Sequence, residues 1–235
     1  MEHEPPPRDV RTVEFWYSPG CILEFADQAV TYVTSHPVKS TSELDKVLGE
    51  GRAGAFLAMS LGKQKQVQAW VRLVEPVHQA PDVEVMYFGE QGKYQSKEML
   101  GVEVATYKMH EPQSLGPFIL RTKLNGHHSY GQHTAIIIYI QKATNSNEVR
   151  EAHRHIANAG QPGVVFLLGQ VDKDLFQIQL VYPRHSGPVD VRISEALDSP
   201  QPKVAQVRRG MSKEHVMSAD PIPTNNPFMA YVEHA

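Results

Sequence analysis

Two stretches concentrate the residues most able to do chemistry. GHHSYGQH places His127, His128 and His133 in one loop, and AHRH places His153 and His155 two residues apart. A catalytic zinc site needs three protein ligands converging on one point, with a fourth position open to water. Residues two apart on a helix point to different faces. The spacing is not HExxH, and acids near the loop are few. Solvated or core-satisfied imidazoles are therefore expected, able to act as pH-sensitive contacts because imidazole titrates near neutrality. The chain carries no nucleophile elbow, Walker loop or dinucleotide fingerprint. No catalytic residue, metal or cofactor is expected. A metal- or histidine-dependent hydrolase on a β-rich fold stands as the rival reading.

The other chemical candidate is Tyr87-Phe88, just before Gly89 and Glu90. Aromatic faces attract cations, and a carboxylate pairs with a guanidinium through two parallel hydrogen bonds. On a strand Tyr87 and Phe88 must point to opposite faces. Simple packing of the aromatic pair and an exposed turn charge at Glu90 stay open as alternatives.

The chain has 235 residues, with 23 Lys plus Arg against 26 Asp plus Glu and a net charge of −3. No overall basic field invites nucleic acid, and direct binding to it is not expected. RNA contact needs a basic stripe with stacking aromatics, which is not legible here. Cys21 is the only cysteine, which excludes an intrachain disulfide framework and a four-thiolate zinc site and suits a reducing compartment. The start, MEHEPPPRDV, lacks the basic-then-apolar pattern of a secretory signal, and no apolar run approaches a membrane span. A soluble, cytoplasmic protein is expected.

The elements that must position these residues read as mostly β. Residues 1–9 are proline-rich and are expected to form a flexible tail. RTVEFWYSP and CILEFADQAVTYV read as two strands around a Ser18-Pro19-Gly20 turn. In STSELDKVLGEG a capping box at Ser40 and Glu43 predicts a short helix ended by Gly49. AFLAMSL, VQAWVRLVEPV, DVEVMYFG and KYQSKEM follow as closely spaced strands, the pattern of a small antiparallel barrel. GPFILRTKL and TAIIIYI also read as β. Asn145, Glu148 and Gly160 frame a helix over Ser146–Ala159, with Val149, Ala152 and Ile156 on one side. GVVFLLGQV and LFQIQLVYP flank an Asp172-Lys173-Asp174 turn. From about Ser199 apolar periodicity fades, and residues 206–235 are expected to be an arm or tail.

In this order of elements the segments WVRL (70–73), VMYFGE (85–90), KEML and QIQLVYP…VDVRISEAL resemble the extended Tudor domain. The resemblance spans about residues 10–205. It implies an α+β fold in which an SH3-like Tudor barrel, residues 53–105, is inserted into an OB or staphylococcal-nuclease-like part, residues 10–52 and 106–205. It also implies a non-enzymatic scaffold module of the piRNA pathway. Such modules dock arginine-rich tails of Piwi or Argonaute-type proteins in cytoplasmic, perinuclear RNA granules. The family's methylarginine cage maps onto Lys65, Val71, Val85, Tyr87, Phe88 and Glu90, of which only Phe88 keeps the family's residue type. Glu90 in place of an amide then implies a preference for unmethylated arginine, because methylation blocks part of the bidentate pairing. Trp70 reads as an anchor of the barrel core. Self-association by exchange of proline-rich arms is a third reading.

Overall fold

The computed structural model describes residues 13–74, 81–91, 94–124, 133–160, 163–208, 217–218 and 226–234. Strand β1 (Val13–Tyr17) runs straight into helix α1 (Pro19–Ser35), where Ser18 Oγ accepts the Cys21 N–H at 3.2 Å. A serine cap followed by proline at the first helical position is a helix start, because the proline N–H would have no partner there anyway. Ile22, Leu23, Ala26 and Ala29 recur at helical spacing and are buried. The second strand expected across CILEFADQAVTYV is thus corrected to a helix.

Helix α2 (Ser42–Lys65) continues through Gly49, Gly51 and Gly54 instead of ending at the first of them. It absorbs AFLAMSL, expected to be a strand. Two of these glycines are contact points: a Cβ at Gly51 would lie 2.7 Å from the Phe228 ring, and one at Gly54 would lie 2.9 Å from Val83. The helix forgoes about 1 kcal/mol of propensity at each glycine. Close packing against the sheet and the carboxyl-terminal segment offsets that loss.

The remaining strands are β2 (Val38–Ser40), β3 (Ala69–Leu73), β4 (Val83–Gln91), β5 (Tyr94–Tyr107), β6 (Thr134–Ile140), β7 (Val164–Gln170), β8 (Leu175–Tyr182), β9 (Val189–Arg192), β10 (Val204–Arg208), β11 (Met217–Ser218) and β12 (Glu233–His234). Among the described residues β1 and nine of these strands form one open sheet in the order β11-β10-β1-β3-β4-β5-β6-β7-β8-β9. Strands β5, β6 and β7 are parallel, and the other neighbours are antiparallel. Their crossovers are α3 (Leu115–Ile119), continued by a π-helical turn Leu120–Leu124, and α4 (Ser146–Ala159). GPFILRTKL, expected as β, is therefore helical.

Helices cover the sheet from both sides. Ile137, Phe166 and Leu168 join the core beneath α1 and α2, while Ile136, Ile138 and Leu167 join the core beneath α3 and α4. This alternation is the period of a strand. The unbroken buried run Ala135–Ile138 reflects burial on both faces.

The chain is thus mixed α+β, as expected at that level, but the expected boundaries cut through elements. Residue 53 lies inside α2 and residue 105 inside β5. Strands β3, β4 and β5 are consecutive members of the open sheet and do not close into a barrel of their own. Nor are residues 206–235 simply an arm: β10 pairs with β1, and Phe228, in the turn Pro227–Tyr231, is fully buried. Asn226 Nδ2 donates to the Phe25 carbonyl at 2.7 Å, and β12 pairs with β2. A short helix, α5 (Ile193–Leu197), packs on α1, and a Cβ at Gly20 would collide with its Ala196 carbonyl. Residues 1–9 lie outside the described residues.

Candidate functional site

Of the residues expected to form the cage, Val71, Val85 and Tyr87 lie on one side of β3 and β4, facing the core. Val71 and Val85 are cross-strand partners, fully buried in the cluster that includes α2. Tyr87 is buried beside them, and its hydroxyl donates to the Glu98 carboxylate. Burial and that carboxylate hold the phenol above its ordinary value. Lys65 Nζ stands 4.8 Å from the centre of the Tyr87 ring. Val71, Val85, Tyr87 and Lys65 are thus brought together as a packed corner under the end of α2, not as an open cage. The physical reason is the helical fate of residues 55–61, which lays α2 over the face expected to be free. Phe88 and Glu90 sit in β4 opposite Lys97 and Gln95, and their side chains lie outside the described residues. Trp70 points to the other face, buried with Trp16 and Met86.

An open site lies elsewhere. Because β5, β6 and β7 are parallel, their carboxyl ends meet at one side of the sheet, the usual place for ligands in sheets of this kind. Here Thr106, Tyr139 and Gln170 from those ends, together with α1 and α2, enclose a cleft of about 610 Å3. Its floor is apolar, with Leu23, Ala53 and Leu168 beside a stacked pair, Phe56 and Phe176, whose rings are 4.1 Å apart. Gly49 opens the mouth: a Cβ there would meet nothing within 4 Å.

Both signs of charge line the walls. Arg52 of α2 pairs with Asp27 of α1 at 2.8 Å, on exposed side chains. Asp45 accepts from the Thr41 hydroxyl at 2.9 Å, and Lys173 stands in the β7–β8 turn. Among the described residues neither Asp45 nor Lys173 forms an ion pair. Tyr139 donates to Gln170 at 3.3 Å across the strand ends.

Glu50 is the unusual member. Its side chain is only 8% exposed, and Lys46, 49% exposed, approaches it at 3.5 Å. Burial, reinforced by the charge of Asp82, pushes its carboxyl up to about 7, against the pull of Lys46 and Lys123. Lys123, on the π-helical turn, is engaged by Glu103 at 2.8 Å and stands 3.9 Å from Asp82. Asp82 itself accepts the Val104 N–H at 2.8 Å. Glu50 therefore faces the cleft as a carboxyl that can change charge near neutrality. Sequence reasoning missed it because GEG reads as punctuation; an acid between glycines inside a 24-residue helix was the available signal.

Among the described residues no histidine lines this cleft. His127 and His128 lie outside the described residues. On α4, His153 Nε2 is 3.3 Å from the Pro183 carbonyl, while His155 packs its ring over Gly116. Among the described residues no three His, Cys, Asp or Glu side chains are grouped to hold a metal ion. Among the same residues no helix is long and apolar enough to cross a membrane. Compared with known proteins, the chain matches no protein-family model, no curated protein and no solved structure.

Proposed function

We propose that the chain is a non-enzymatic docking module whose cleft between α1, α2 and the ends of β5–β7 receives an arginine-bearing peptide segment. The observation that carries this reading is Glu50, a buried carboxyl in the wall of an open cleft, contacted at 3.5 Å by an exposed lysine. A guanidinium presents a planar fork that meets a carboxylate with two hydrogen bonds, which an ammonium cannot do. The aliphatic stem of the arginine suits the apolar floor, and Asp45 offers a second acceptor near the mouth.

The ligand class follows the resemblance of the β3 and β4 segments to extended Tudor domains. In this reading recognition has moved from β4 to α2. An arginine-rich tail of the kind carried by Piwi-type proteins of cytoplasmic granules is the first ligand to try. Symmetric dimethylation blocks part of the fork, so the unmodified peptide is preferred.

Calorimetry with matched arginine-glycine peptides, unmodified and symmetrically dimethylated, tests this. The unmodified peptide is expected to bind about tenfold or more tightly, a difference that Glu50→Gln removes, in line with about 1.5–3 kcal/mol for a hydrogen bond to a charged group. Tighter binding of the dimethylated peptide, or equal binding by Glu50→Gln, would overturn the assignment.

A further inference from the structure

We infer that Glu50 selects the ligand's cation and gives up its own proton to solvent when it does so, which makes docking at this cleft a proton-linked event; the inference rests on the docking reading above. Its basis is the set of charges around Glu50. From its own helix come Lys46, at 3.5 Å on an exposed side chain, and, along the cleft, Asp45 and Arg52. Arg52 is held by Asp27 of α1 at 2.8 Å, so it is not available to neutralise Glu50.

Behind Glu50, at the start of β4, stands Asp82, with Lys123 between it and Glu103 of β5. Lys123 is 2.8 Å from one Glu103 oxygen, and the other Glu103 oxygen is buried without a hydrogen-bond partner among the described residues. Two carboxylates therefore share one lysine there, so this group behind Glu50 carries a net negative charge. Lys173, across the cleft in the β7–β8 turn, is exposed to solvent. Burial and this negative group favour the protonated carboxyl in the free protein, against the pull of Lys46.

An arriving guanidinium changes that. It supplies a fixed positive charge inside the cleft, the carboxylate becomes the favoured form, and the proton leaves to buffer. With the free carboxyl held up at about 7 by burial, one proton is released per ligand at pH 6 and almost none at pH 8.5. Linkage then requires binding to weaken as pH falls below 7, by about tenfold between pH 8 and pH 6.

The experiment is calorimetry of an unmodified arginine-glycine peptide at pH 6, 7 and 8, each in two buffers of different ionisation enthalpy, with wild type, Glu50→Gln and Lys46→Met. Wild type is expected to release close to one proton at pH 6, with the tenfold loss. Glu50→Gln is expected to show no release and no pH dependence. Lys46→Met is expected to move the midpoint of the effect to higher pH, which a merely structural role of Glu50 would not do. Binding with no proton release at pH 6 would overturn the exchange and leave the docking reading standing. No binding at any pH would overturn both.

Discussion

Glu50 makes a quantitative claim about stability that needs no ligand. In the unfolded chain its carboxyl has the ordinary value of 4.5, and in the fold it rises to about 7, mainly through burial. Below 4.5 the group is protonated in both states and contributes no penalty. As pH rises from 4.5 to 7, the unfolded chain loses the proton first, and the fold is progressively destabilised. That gap, at about 1.4 kcal/mol per pH unit, corresponds to about 3 kcal/mol above pH 7. Glu50→Gln removes the charge but keeps a buried polar group that needs hydrogen bonds, so about 2 kcal/mol is the expected gain. For a chain of this size it raises Tm by about 4–8 °C. The assay is urea and thermal unfolding of both proteins from pH 4 to pH 8.5, read as a difference so that other titrating groups cancel. The expected curve is flat near zero below pH 4.5, climbs through pH 5 to 7, and levels off above. A variant less stable than wild type at pH 8, or a difference that ignores pH, would refute the reasoning. A stabilising loss of a buried charge is what a residue kept for binding rather than folding should show.

Two further outcomes are expected. Phe228→Ala empties a fully buried site between α2 and the carboxyl-terminal segment; it should cost about 3–5 kcal/mol and make amides 226–234 exchange ahead of the sheet. A cost below about 1 kcal/mol would show that the segment merely rests on the helices. The Cys21 thiol, pushed up to about 12 chiefly by burial, should resist a disulfide reagent at pH 8 until the protein is unfolded; rapid reaction of the native protein would contradict its placement.

Helix α4 was legible in full, because Asn145, Glu148 and Gly160 each act locally and the structure shows the complete capping box. Strands β6, β7 and β8 were equally clear from their apolar runs. Helix α1 carried its signal too, in Ser18-Pro19, but β-branched and aromatic content masked it. Helix α2 was legible only at its start, since Gly49, Gly51 and Gly54 look like terminators and the roles of Gly51 and Gly54 depend on Phe228, Val71 and Val83, which are distant in sequence. The parallel pairing of β5, β6 and β7 had one local trace, the unbroken run AIII, which marks a strand covered on both faces. Of the expected cage residues, Val71, Val85 and Tyr87 share one buried side of β3 and β4. What covers that side is decided by α2, so the open site moved to the cleft. Glu50 escaped notice because its burial comes from tertiary packing.

The most direct test of the cleft as the binding site is occlusion by Gly49→Leu. A Cβ there enters open space at the mouth and meets nothing within 4 Å. Replacing a helical glycine is also expected to keep or slightly raise stability, by up to about 1 kcal/mol. The variant is expected to keep an unchanged or higher Tm and to bind the unmodified arginine-glycine peptide at least tenfold more weakly at pH 8. Full-strength binding by this folded variant would contradict it and place the ligand elsewhere on the molecule.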